Sequence, residues 1–133
     1  MIVVLDTNVW ASALVFGKTD SVPARALKRA VSEDILATSR ELREEIHRIL
    51  VQKGSWSAHR ATQELDTYLA RAITVQLTHT THICRDPKDN MFLECAALAH
   101  ADVIVAGDKD LLVLGSYAGA SIVTPFEYLN LES

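Results

Sequence analysis

Two short runs without a single polar side chain, Ile2-Val3-Val4-Leu5 and Val103-Ile104-Val105-Ala106, each lead into an aspartate, Asp6 and Asp108. Such β-branched runs, apolar throughout, are expected where a strand is buried on both faces, as in a parallel sheet. Two strands of this kind ending in acids put both carboxylates at the same edge of the sheet. Taken singly, each aspartate is equally well read as a turn or cap residue, because Asp is common at such positions.

The remaining elements alternate between the two types. Asp6-Thr7-Asn8 supplies cap chemistry for a helix through Val9, Trp10, Ala13 and Leu14 that ends near Gly17. A polar loop to Ser21 precedes a helix over 22–31, and Ile35 to Thr38 reads as a strand. Ser39 caps a helix to about Lys53 with Leu42, Ile46, Ile49 and Leu50 on one face, and Ser57 opens another to Ala72, forming a helical hairpin. A strand over 73–77, a polar irregular stretch over 78–88 and a helix over 90–99 follow. After the strand at Val103 come a short helix over 111–114, a strand over 121–123 and a terminal helix opened by Pro125. Strands alternating with helices indicate an α/β fold with a mostly parallel sheet, whose ligands bind at the carboxyl ends of the strands.

A chain of 133 residues, 49% hydrophobic and 23% charged, with eight Pro and Gly together, fits one folded domain over 1–133 rather than a disordered segment. The apolar run at the start stops at Asp6, too short for a leader or a spanning helix, so a cytoplasmic location and no membrane partner are expected. Cys84 and Cys95 make neither a disulfide framework nor a zinc pattern and are read as reduced thiols. A net charge of −4 argues against nucleic-acid binding through a broad basic face, although divalent cations among clustered carboxylates would invert the local field.

Two further groups of acids stand out. Asp86-Pro87-Lys88-Asp89-Asn90 precedes an apolar helix that Asp89 would cap, with Pro87 stiffening the approach. Glu45 borders the Ile46, Ile49 and Leu50 face, where its ordinary use is an ion pair with Arg48. Carboxylates without Cys or His suit hard cations such as Mg²⁺ or Mn²⁺, and grouping them without cations or shared protons opposes folding. Their usual chemistry is phosphodiester hydrolysis, with one or two ions holding the phosphate and lowering the pKa of an attacking water.

Four segments in this order resemble the PIN-domain family, and especially the toxin branch of prokaryotic toxin-antitoxin systems, the VapC-like ribonucleases. They are Val4 to Val9, Glu45 to Leu50, Asp86 to Glu94, and Ala101 to Leu112, with the tail Ile122 to Pro125. The resemblance implies a three-layer α/β/α Rossmann-like sandwich and cleavage of single-stranded RNA at a site of Asp6, Glu45, Asp89 and Asp108 holding Mg²⁺ or Mn²⁺. It gives Asn8, Asp110 and Asp86 supporting roles. It also implies an antitoxin partner, laid across the acidic cleft with a basic side chain in place of the metal, and a homodimer formed through the helices between Ala24 and Ala72. The chain departs from the family in having Ala106 where a hydroxyl residue is frequent, and Trp10 where a small aliphatic residue is expected. Trp10 is read as core in preference to a stacking surface for a base.

Arg40, Arg43, Arg48, Lys88 and Lys109 are candidate RNA contacts, though each is first a solvated charge. His79-Thr80-Thr81-His82 lacks the companion ligands of a zinc site, and neither cysteine has a recognisable histidine partner. Two rival readings are a phosphoryl-transfer domain in which Asp6 is phosphorylated and a PIN-like module that binds without catalysis.

Overall fold

The computed structural model describes residues 1–132 and contains a six-stranded sheet in the order β3-β2-β1-β4-β6-β5. The strands are β1 (Ile2–Leu5), β2 (Ile35–Ser39), β3 (Ile73–Val75), β4 (Val103–Val105), β5 (Ser116–Tyr117) and β6 (Ala120–Val123). All neighbours pair in parallel except β5 with β6. The two apolar runs are thus the paired central strands, with Val4 opposite Ile104 and Leu5 opposite Val105.

Helices cover both faces, giving the three-layer α/β arrangement. Val3 and Leu5 of β1 and Val103 and Val105 of β4 join one core. It is completed by α1 (Thr7–Ala11), α2 (Val22–Ser32), α3 (Arg40–Gln52), α4 (Ala58–Tyr68) and α7 (Pro125–Leu129). Val4 and Ile104, pointing the other way, join a second core with α5 (Pro87–Ala99) and α6 (Lys109–Leu112). This alternation explains why neither run contains a polar residue: each successive side chain enters one core or the other.

Several boundaries differ from the sequence reading. The helix α5 starts three residues earlier than expected, with Asp86, not Asp89, as its cap and Pro87 in the first turn. Proline at that position lacks an N–H that the helix would leave unpaired in any case, so it begins a helix rather than extending a loop. The helix after β4 likewise begins at Lys109 instead of Leu111, because Asp108 accepts from the Asp110 N–H and caps it. The strand β3 is shorter than expected and α4 ends at Tyr68. The two-residue β5 was not anticipated; it turns into β6 through Ala118 and Gly119, both at positive φ, the backbone a tight hairpin requires.

Trp10 is core, as read: it is buried edge-on against Tyr68, with ring centroids 5.9 Å apart. Both cysteines are free thiols. The apolar residues Leu27, Leu42, Ile46, Leu50, Ala61 and Leu65 of α2 to α4 are all consumed by the chain's own core. Among the described residues no helix is long and apolar enough to cross a membrane.

Candidate metal centre

The sheet changes direction of winding between β1 and β4, with β2 and β3 laid on one side and β6 and β5 on the other. In open α/β sheets the carboxyl edge at such a switch point is a crevice, because the connecting loops part there. Asp6 follows β1 and Asp108 follows β4 at this edge. The Asp6 N–H donates to Val105 O at 3.0 Å, so the sheet ladder itself fixes where the acid leaves the strand.

Asp6 is almost wholly buried. Its Oδ1 accepts from the Val9 N–H, capping α1, and its Oδ2 accepts from the Gly107 N–H, both at 2.9 Å. Burial pushes its pKa up to about 6, against the pull of backbone hydrogen bonds from Val9, Gly107 and Asp108.

Asp89, in the first turn of α5, is 4% exposed, and its Oδ2 is buried without a hydrogen-bond partner among the described residues. Carboxylate oxygens of Asp89, Asp108 and Asp110 all lie within 4.8 Å of one another. Burial, followed by the charges of Asp108 and Asp86 and a hydrogen-bonding Asp108 carboxylate, raises the Asp89 pKa to about 7. A buried carboxylate that has two further acids this close and one oxygen unpartnered needs a shared proton or a cation. All-oxygen donors of this kind fit a hard divalent ion.

Glu45 stands apart from those three. Its carboxylate takes Arg48 Nε at 3.1 Å and Lys88 Nζ at 3.1 Å, so the ordinary ion pair read from the sequence is present and a second cation joins it. The Arg48 guanidinium holds the Glu45 carboxyl below the usual carboxylate range, with Lys88 adding to the effect. Asn8 is exposed and lies beside the Gly107 turn, where a Cβ built on Gly107 would meet Asn8 Cβ at 3.7 Å. Asp86 is exposed and spends one oxygen on the Lys88 N–H, while its charge still acts on Asp89. The structure therefore groups Asp108, Asp89 and Asp110, sets Asp6 behind Asp108 across the Gly107 turn, and leaves Glu45 at the flank with its two cations.

Two polar residues of α5 escaped the sequence reading. Glu94 is buried and accepts from the Thr78 N–H, from Thr78 Oγ1 at 2.6 Å and from the His79 N–H at 3.0 Å. Burial raises its pKa, but these donors together outweigh that and bring it below the ordinary value. Asn90 accepts from the Ile83 and Cys84 N–H groups at 2.9 and 2.8 Å and donates to Cys84 O at 2.9 Å. The available signal was a carboxylate and an amide inside an otherwise apolar helix. Between them they tie the irregular segment after β3 onto α5 and thereby fix the helix start that carries Asp89. Replacing Asn90 by Ala is expected to cost about 1–3 kcal/mol in urea unfolding, because three backbone groups lose their partner.

A family model for the PIN domain matches residues 2–110. The chain belongs to the PIN-domain family. The match covers β1 through the start of α6 and so contains every acid described above. Among curated proteins the PIN-domain chain is 31% identical over 117 residues to the uncharacterized protein MJ1680 of Methanocaldococcus jannaschii, covering 84% of this chain and 74% of the relative. Among solved structures its fold is similar to VapBC2 from Rickettsia felis, bound to a DNA fragment from its promoter. That likeness has a TM-score of 0.60 and 17% identity, and covers 92% of this chain and 97% of the other.

Proposed function

We propose that this PIN domain is an endoribonuclease that cuts single-stranded RNA with Mg²⁺ or Mn²⁺, one or two ions, and serves as the toxin of a cytoplasmic toxin-antitoxin pair. The observation that carries the reading is the buried Asp89 carboxylate, which has one oxygen within 4.8 Å of Asp108 and Asp110 carboxylate oxygens and whose Oδ2 has no partner among the described residues. Asp89, Asp108 and Asp110 would hold the ion, with Asp6 and Glu45 completing the acidic site and Asn8 and Asp86 supporting it. A bound cation would supply charge to the scissile phosphate and lower the pKa of an attacking water.

The chain's own residues do the rest. Asp89 releases its proton as the site fills. Glu45, kept ionised by Arg48 and Lys88, is available to orient a water. Water attacks phosphorus as the bond to the 3′ oxygen breaks; the attacking water gives a proton to solvent and the departing oxygen takes one from it, so the products are a 5′-phosphate and a 3′-hydroxyl. Asp6 is a poor candidate for a phosphorylated nucleophile, since each of its oxygens already accepts a backbone N–H and the group is 1% exposed.

The toxin role and the antitoxin partner rest on the resemblance of the four motifs, supported by the shared fold with VapBC2. A homodimer belongs to the same proposal, but the apolar residues of α2 to α4 already used in the core do not supply its contact. The test is incubation of the purified protein with mixed single-stranded RNA in Mg²⁺, in Mn²⁺ and in chelator, beside Asp108→Asn. Cleavage that requires metal, leaves 5′-phosphate ends and disappears in the variant is expected. Metal binding without cleavage of any RNA would replace the nuclease with a binding module.

A further inference from the structure

We propose that a cavity adjoining the acid cluster, between the end of the first helix and the end of α3, is a nucleobase subsite for the substrate strand. Phe16 forms its stacking face and Lys53 its phosphate contact. The proposal rests on the ribonuclease reading above and adds how the strand is held.

The cavity has a volume of about 370 Å³ and is lined by Asn8, Phe16, Ile49, Lys53, Gly107 and Pro125, among others. That is within the usual range for small-ligand sites, roughly 300–1,000 Å³. Its wall at Gly107 is the same turn whose N–H holds Asp6 at 2.9 Å, so the cavity and the acidic edge share that turn. A strand whose phosphate lies at the acids places a neighbouring base within reach of it.

Phe16 is 68% exposed although the fold has two apolar cores in which to bury an aromatic ring. It ends a five-residue π-helical continuation of α1, Ser12–Phe16. The wider turn is closed by Gly17, where a Cβ would lie 2.3 Å from Ser12 O, so the backbone carrying Phe16 is fixed by a contact only glycine permits. Such π-helical insertions interrupt regular hydrogen bonding at a cost and recur at functional sites.

Two polar side chains of the lining, Lys53 and Asn8, are exposed to a bound strand. Lys53 closes the end of α3 and, among the described residues, takes part in none of the salt bridges. Asn8 is exposed beside it. An aromatic face, an exposed cation and an exposed amide around one cavity match the three parts of a nucleotide: base plane, phosphate and base edge. Stacking on an aromatic side chain tolerates any base, as expected of a grip that precedes sequence choice.

The test is steady-state cleavage of a single-stranded RNA in Mn²⁺ by the full chain and by Phe16→Ala, Phe16→Trp and Lys53→Gln. Phe16→Ala is expected to raise KM about tenfold with kcat little changed, and Phe16→Trp to restore it. Lys53→Gln is expected to raise KM and to lessen its salt dependence by about 0.7 in log–log slope, one phosphate contact on a single strand. Unchanged KM in Phe16→Ala and Lys53→Gln, with the parent protein active, would overturn the subsite and leave the nuclease standing. A KM rise that Phe16→Trp fails to reverse would overturn the stacking role. A parent protein that cleaves no RNA overturns the nuclease reading and the subsite with it.

Discussion

Asp89→Asn is expected to abolish RNA cleavage, by about 10²–10³-fold or more, and at the same time to make the metal-free protein more stable above pH 7. The two effects have one cause. In the folded chain the Asp89 carboxylate is buried, its Oδ2 has no partner among the described residues, and Asp108, Asp110 and Asp86 all disfavour its charge. Asparagine has the same shape without the charge, so the repulsion disappears and an amide N–H can be donated to Asp108. An acid serving only the fold would behave in the opposite way, since replacing it would remove a favourable interaction.

Thermal unfolding with and without Mn²⁺ checks this directly. The parent protein should gain stability on adding Mn²⁺, because an ion that binds only the folded state shifts the equilibrium by mass action. Asp89→Asn should start higher without the ion and gain little from it. A variant that is less stable than its parent without metal, or that still gains fully from Mn²⁺, would remove Asp89 from the metal site.

The contrast between Asp6 and Asp89 shows what a sequence of this kind makes readable. Asp6 and Asp108 were legible because the chemistry is local: a strand buried on both faces cannot contain an acid, so the first acid marks its end. Asp89 was found as a residue type at a helix start, yet its ordinary role there, the cap, belongs to Asp86. The difference turned on Pro87, whose φ suits a first helical turn as well as a loop. Asp110 entered the innermost group only because α6 begins at Lys109 and carries it back toward α5.

Other features have no local signal at all. Glu94 and Asn90 act on backbone groups 6 to 16 residues earlier in the chain, and such partners depend on how the segment after β3 folds back on α5. The cavity at Phe16 is assembled from α1, the end of α3 and the Gly107 turn, pieces that meet only in the finished fold. Likewise the salt bridge from Lys88 to Glu45 joins α5 to α3, and turns a candidate RNA contact into a group that holds an acid in place.

Affinity for Mn²⁺ is expected to rise steeply with pH and level off above about pH 7, while the stability of the metal-free chain falls across the same window. Unfolded aspartates ionise near 3.9. In the folded protein burial raises Asp6 to about 6 and Asp89 to about 7. Between about pH 4 and pH 7 the folded chain therefore holds more protons than the unfolded one. The stability these protonated acids contribute is full below the unfolded pKa and is lost as pH rises toward the folded values. Mn²⁺ requires the ionised carboxylates, so below about pH 6 it displaces up to two protons and its affinity climbs up to about 100-fold per pH unit. From 6 to 7 only Asp89 is still protonated, and the climb falls to about tenfold per unit. Calorimetric titration of Mn²⁺ at pH 5.5, 6.5 and 8, in buffers of different ionisation enthalpy, measures affinity and released protons together. Affinity that holds constant down to pH 5.5, with no proton released, would mean that Asp6 and Asp89 are already ionised and that the acid cluster is compensated by something other than a bound proton.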